Sequence, residues 1–230
     1  MADEHIDIGG EFRVALRRHA RARRMTLRVA PTGAVTLTLP PGAPLGPARA
    51  FAESRLDWLR AAKGRAAPPQ IVAEGAVLPV AGADLRITRA DVKLARIEGG
   101  ALLIPARGAA GRQVAIYLRG AAHAALRAAV THYAGRIGRE VRAMALRDTR
   151  SRWGSCTHDG RLMFSWRLAM APPEVLDYVA AHEVAHLAHM DHSPAFWAQV
   201  GALLPGYQAP RRWLKLHGGQ LQAWRFDAET

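Results

Sequence analysis

The sequence predicts an α+β protein in which a basic, β-rich N-terminal part precedes a C-terminal part built around a histidine-bearing helix. Three observations carry this expectation. Apolar and polar residues alternate at Met25, Leu27 and Val29, and again at Val35, Leu37 and Leu39, the period of half-buried strands. From Val114 through Leu118, Leu126, Val130 and Tyr133 to Ile137, apolar residues recur instead at helical steps. Charge is lopsided: residues 1–139 carry 22 Lys/Arg against 10 Asp/Glu, whereas residues 140–230 carry 10 against 9.

The elements follow in order. Residues 12–40 read as a β-meander with a turn at Pro31-Thr32-Gly33, and the basic run RRHARARR (17–24) leads into its hairpin. Residues 47–63 read as a helix ending at Gly64, with Phe51, Leu56, Trp58 and Leu59 available for its buried side. A short linker, RAAPP (65–69), separates an N-terminal unit, 1–69, from a second unit, 70–230; one continuous domain over 11–220 is the other reading. Residues 70–105 read as short strands parted by Gly75, Gly82 and Gly99-Gly100, followed by a long helix near 111–137. Strands at 141–147 and 161–167 flank RSRWGSCTHDG, where Asp159-Gly160 signals a hairpin turn. Pro172-Pro173 open a helix to about residue 190, and Ser193-Pro194 cap and restart one toward Leu204. A final helix holds Trp213, Leu214 and Leu216. No repeat of 20–50 residues is visible.

Composition excludes several classes. Half of the 230 residues are apolar, enough for a substantial core, and 21 Gly with 14 Pro are too few for a collagenous or low-complexity chain. No 18-residue apolar window suggests a membrane span, and MADEHIDIGG is the opposite of a secretory signal, so a soluble, cytoplasmic protein without membrane partners is expected. One cysteine, Cys156, excludes an intrachain disulfide and an all-cysteine zinc site. The +13 net charge suits anionic partners, nucleic acid at the basic N-terminal surface among them, or simply solubility.

Chemistry concentrates in HEVAHLAHMDH, 182–192, which holds four of the ten histidines. His182 and His186 are about 40° apart round a helix axis and about 6 Å apart along it, so both imidazoles can reach one ion. Glu183, about 100° round, can act beside that ion without binding it. H-E-x-x-H at this spacing is the zincin signature, with two histidines on zinc and the glutamate as general base. The C-terminal part is therefore expected to be zincin-like. From Leu168 to Pro210 there is no Lys or Arg, while Glu174, Asp177, Glu183 and Asp191 are acidic, which favours a dication.

A catalytic zinc needs a third protein ligand. His192 is the expected one, reached if the helix breaks at Met190-Asp191, since Pro194 biases Ser193 away from helical geometry. His189 shares the face of His182 but lies about 10.5 Å along the axis. A carboxylate from elsewhere is a further alternative. The His186-to-His192 spacing matches metzincins, although their turn glycine is His189 here.

RSRWGSC, SWRL and PPEVLDYVAAHEVAHLAHMDHSPAFW, in that order, resemble the YgjP-like metal-dependent hydrolases, a zinc metallopeptidase group related to SprT-like proteins. The resemblance extends to the basic hairpin and the Trp-containing helix at 47–63; Ser165 and Asp191 stand where members often carry Asn. It implies His182, His186 and His192 as zinc ligands and Glu183 as the catalytic acid/base. Peptidase activity on peptide or protein substrates is the leading expectation. The resemblance also implies an alternative, a nucleoside triphosphate (UTP) pyrophosphatase with a nucleotide substrate. A third reading is a nucleic-acid-associated module with structural zinc.

Lesser features complete the reading. Arg152, Trp153 and Ser155 could line the cleft on an edge strand, with Trp153 and Trp166 as core aromatics the alternative. Cys156 reads as a packed thiol, Tyr178 as a neighbour of His182, and Phe196 and Trp197 as packing against the zinc helix. No Gly-rich phosphate loop is present.

Overall fold

The computed structural model describes residues 4–30, 33–64, 68–149 and 152–226. The Pro31-Thr32 part of the expected turn, residues 65–67 of the linker and Arg150-Ser151 lie outside these described residues. The chain forms two compact units, Met1–Pro69 and Gln70–Thr230.

In the first unit, β1 (His5–Ile8) and β2 (Phe12–Arg18) pair antiparallel, and β3 (Thr26–Val29) pairs antiparallel with β4 (Val35–Leu39). The meander expected over 12–40 does not form. Strand β4 inserts beside β2 in parallel, giving the order β1-β2-β4-β3. Burial explains the choice: Val35, Leu37 and Leu39 of β4 are fully covered, whereas β3 is at best half-buried and takes the edge. The basic run that follows β2 crosses over, with the His19 N–H donating to the Leu39 carbonyl at 3.0 Å.

The single helix expected at 47–63 is two, α1 (Leu45–Glu53) and α2 (Leu56–Gly64). Ser54 ends the first, its hydroxyl donating to the Phe51 carbonyl at 2.8 Å, a side-chain bond that competes with helix continuation. Ala48, Ala52 and Leu59 pack with Ile8, Phe12, Val14 and Leu37. Trp58 does not join them: it is 45% exposed, beside Arg24, Met25, Phe51 and Arg55.

The second unit opens with β5 (Gln70–Ile71), parallel to the terminal β13 (Trp224–Arg225). Then β6 (Val77–Val80), β7 (Ala83–Ala90), β8 (Arg96–Glu98) and β9 (Ala101–Pro105) form a sheet of order β6-β7-β9-β8, antiparallel at both edges and parallel in the middle. This is the pairing scheme of the first unit repeated. No letter-by-letter repeat announces it, because alternation and turn placement, rather than residue identity, set the pairing.

Helix α3 (Ala110–Arg136) is the spine of this unit, burying Val114, Leu118, Leu126, Val130 and Tyr133, while the expected Ile137 caps its end half-buried. Strands β10 (Ala143–Arg147), β11 (Gly154–Cys156) and β12 (Arg161–Ser165) form a sheet with β12 central, parallel to β10 and antiparallel to β11. Gly160 makes the β11–β12 turn at φ 80°, a conformation glycine adopts without strain. The strand expected to reach 167 gives way to a 3-10 turn at Trp166–Met170.

Helix α4 (Pro173–Ala185) packs against α3, β11, α5 (Pro194–Leu203) and α6 (Gln208–Ala223). The Tyr133 hydroxyl donates to Asp177 at 2.6 Å, tying α3 to α4. Pro210 falls in the first turn of α6, where its missing N–H removes no helical bond. No helix of the described residues is long and apolar enough to cross a membrane.

Because Leu118 is wholly enclosed on the buried face of α3, Leu118→Ala is expected to lower unfolding free energy by about 2–5 kcal/mol in urea titrations. A loss below about 0.5 kcal/mol would contradict the placement of α3 as the spine.

Candidate metal centre

Helix α4 is apolar nearly all round, which is why it is buried: Val175, Val179, Ala180 and Val184 enter the core, and Glu183 is only 5% exposed. Its end differs from the expected break at Met190-Asp191. The helix stops at Ala185, and His186 is the cap at φ −65°, ψ −19°. The Leu187 N–H donates to Val184, and those of Ala188 and His189 to Ala185, at 3.0–3.1 Å, closing a tight turn. Asp191 then accepts the Ser193 N–H at 3.2 Å, and Ser193 caps α5 by accepting the Phe196 N–H at 3.4 Å. The chain thereby doubles back and returns His192 to the face of α4.

His182, His186 and His192 converge: one ring nitrogen from each lies within 4.8 Å of the others. Nε2 of His182 and Nε2 of His192 are 3.3 Å apart. His186 Nδ1 lies 2.9 Å from the His189 carbonyl; a carbonyl only accepts, so Nδ1 carries the hydrogen and Nε2 keeps its lone pair. His189 therefore enters this cluster through its backbone, not its imidazole. Phe196 stacks on His186 at 4.4 Å, Trp197 lies 5.7 Å from His182, and Tyr178 meets His182 edge-on at 5.9 Å. Nδ1 of His182 is buried without a hydrogen-bond partner among the described residues.

Burial, aided by repulsion from His186, His192 and Arg211, pushes the His182 pKa down to about 3, and burial lowers that of His186 as well. Both rings are thus neutral near pH 7, the form that binds metal. A tetrahedral ion about 2.0–2.1 Å from two nitrogens would hold them about 3.4 Å apart, the separation His182 and His192 already have. The donor set fits one divalent metal ion.

Burial also pushes Glu183 up to about 8, with Arg152 pulling the other way. The β11 backbone presses on this carboxyl: a Cβ on Gly154 would come within 2.5 Å of Glu183 Oε1. Strand β11 is an edge, with no strand on its outer side among the described residues. Cys156, at its end, is pushed up to about 11 by burial and by Glu183 and Asp159, and stays a protonated thiol. Burial raises Tyr178 to about 12, so it remains a hydroxyl.

Of the other residues singled out in the sequence, Arg152 is exposed and acts on Glu183 through charge, and Ser155 lies on β11. Trp153 is half-buried against Gly218 of α6, and Trp166 is in the core. Sequence reasoning passed over Tyr207, stacked between Tyr178 and Trp197 at 6.3 and 5.5 Å, and Arg211, 4.2 Å over Trp197. No local pattern marks either one. Gly154 did carry a signal, since glycine inside a strand marks close approach of another group.

A family model described as YgjP-like, metallopeptidase domain, matches residues 23–217. Among solved structures, the crystal structure of the metallopeptidase zymogen of Pyrococcus abyssi abylysin is similar at 21% identity, covering 40% of this chain and 95% of that one. Its TM-score is 0.36. No curated protein matches.

Neighbouring residues respond oppositely to pH. Glu183 holds its proton to about 8 when folded, against 4.5 when free, so stability falls as pH rises between those values. His182 resists protonation down to about 3, against 6.5 when free, so stability falls as pH drops from 6.5 toward 3. In chelator-treated protein, Glu183→Gln is expected to gain melting temperature over the parent progressively from pH 4.5 to 8. A gap that does not change with pH would refute the buried carboxyl.

Proposed function

The chain belongs to the YgjP-like metallopeptidase family, and from that premise we propose that it is a zinc-dependent peptidase whose ion is held by His182, His186 and His192, with Glu183 as the acid/base. One observation carries the reading: three imidazole nitrogens gathered within 4.8 Å, on and just beyond a buried helix whose Glu183 side chain is enclosed beside them. Three imidazole donors suit zinc among the common divalent ions.

Bound zinc supplies a Lewis acid that polarises a scissile carbonyl and acidifies water. Glu183 takes a proton from the attacking water on a carboxylate oxygen and passes it to the leaving amine nitrogen. For that it must be ionised at neutral pH; the value near 8 already contains the pull of Arg152, and a dication held at the His cluster would lower it further. Gly154 leaves room for this carboxylate, and the free edge of β11 offers backbone groups to an extended peptide. Trp197 and Tyr178 wall the His182 side of the cluster, while His192 stays exposed.

Glu183→Gln is expected to keep zinc while peptide cleavage drops about 10²–10⁴-fold; undiminished turnover would rule out its role. After dialysis against zinc salts, elemental analysis should find His192→Ala empty and His189→Ala loaded, since a side-chain truncation at 189 spares the carbonyl that orients His186. The reverse pattern would move the ligand. The zinc-loaded protein is to be assayed on unfolded protein and on nucleoside triphosphates. Pyrophosphate release without peptide cleavage would replace the peptidase reading with the nucleotide one.

A further inference from the structure

A second concave site lies along the N-terminal third of α3, formed by none of the residues of the His cluster. It is a cavity of about 480 Å³ into which Arg112, Arg119, Arg167 and Arg225 converge, with Asp148 the one acid on its wall. Arg167 and Asp148 satisfy each other: Arg167 Nε and Nη2 donate to the carboxylate at 2.6 and 3.2 Å, and Nη1 donates to the Leu221 and Trp224 carbonyls at 3.0 and 2.9 Å. That pair is neutral. Arg112, Arg119 and Arg225 have no carboxylate partner among the described residues, so within those residues the cavity carries three positive charges without a paired acid.

The floor supplies an independent observation. Trp166 is 2% exposed, with the Arg119 and Arg167 guanidinium groups over its indole at 5.4 and 5.1 Å. Its Nε1–H is a buried donor with no acceptor among the described residues. Phe226 adds a second aromatic face, edge-on to Trp166 at 4.9 Å. Three like charges round one hollow repel one another until an anion enters.

We propose that this cavity binds a small phosphorylated anion, a phosphate ester or a polyphosphate. Guanidinium forks match phosphate oxygens in pairs, and three of them answer more charge than one carboxylate brings. The volume suits a small molecule rather than a macromolecule, and the partly exposed ring of Phe226 can hold a ring attached to the phosphate. Asp148 is already engaged with Arg167, so the ligand belongs with the three free arginines. The site stands whether or not the His cluster binds zinc.

The test is calorimetric titration of the full chain, with chelator present, using inorganic phosphate, pyrophosphate and a nucleoside triphosphate. Saturable binding that weakens with salt is expected. Arg112→Gln and Arg119→Gln, both exposed positions, should each weaken it about tenfold with unchanged melting temperature. Glu183→Gln should leave it intact. Equal binding of pyrophosphate and nucleotide assigns recognition to the phosphates, and tighter nucleotide binding adds the Phe226 ring; both support the site. Absence of saturable binding by all three probes would overturn it. So would binding that survives the double Arg variant, or that is lost in Glu183→Gln.

Discussion

Helix α4 ends at His186, and the reversal that follows is held by groups that the ended helix and the next one would otherwise leave unpaired. The amides of 187–189 close onto the last turn. Ser193 satisfies a free amide at the start of α5, while Asp191 accepts the Ser193 N–H. This bonding brings His192 within 3.3 Å of His182, nitrogen to nitrogen, and puts the His189 carbonyl behind His186. A helix continued for one more turn would carry His186 onward as an interior residue and leave no return path for His192. Placement of all three rings rests on that one termination.

Enclosure does the electrostatic work. The same apolar packing that buries α4 strips water from His182, His186 and Glu183, leaving the histidines unprotonated and the glutamate reluctant to ionise. A cation among the rings relieves both conditions at once, because neutral imidazoles have lone pairs to give and the carboxyl gains a positive neighbour. The small residue at 154 belongs to this arrangement, since any side chain there would displace the carboxyl from its place against β11.

Much of this was legible in the letters. Spacing alone set His182 and His186 on one helical face, and the Ser193-Pro194 pair announced the restart that makes His192 reachable. The exact point of termination was not, since periodicity measures which face is apolar and is blind to backbone bonds such as Leu187 N–H to Val184 O. Non-local choices were hidden as well. Strand β4 pairing with β2 rather than β3 alone, and Trp58 turning outward after the break at Ser54, depend on which surfaces compete for cover. The gathering of Arg112, Arg119 and Arg225, from α3 and from a strand over a hundred residues later, is a product of folding that no window along the chain contains.

The two four-stranded sheets follow one pairing order, a hairpin on each flank and a parallel seam between. The first set of strands precedes the second along the chain, and each seam strand has a counterpart that pairs with the same polarity. Discrimination between them falls to shape: Phe12 and Val14 face Leu37 in one core, while Leu78, Ile87 and Leu102 fill the other. Dissimilar side chains on a shared blueprint thus guard the chain against exchanging its own halves.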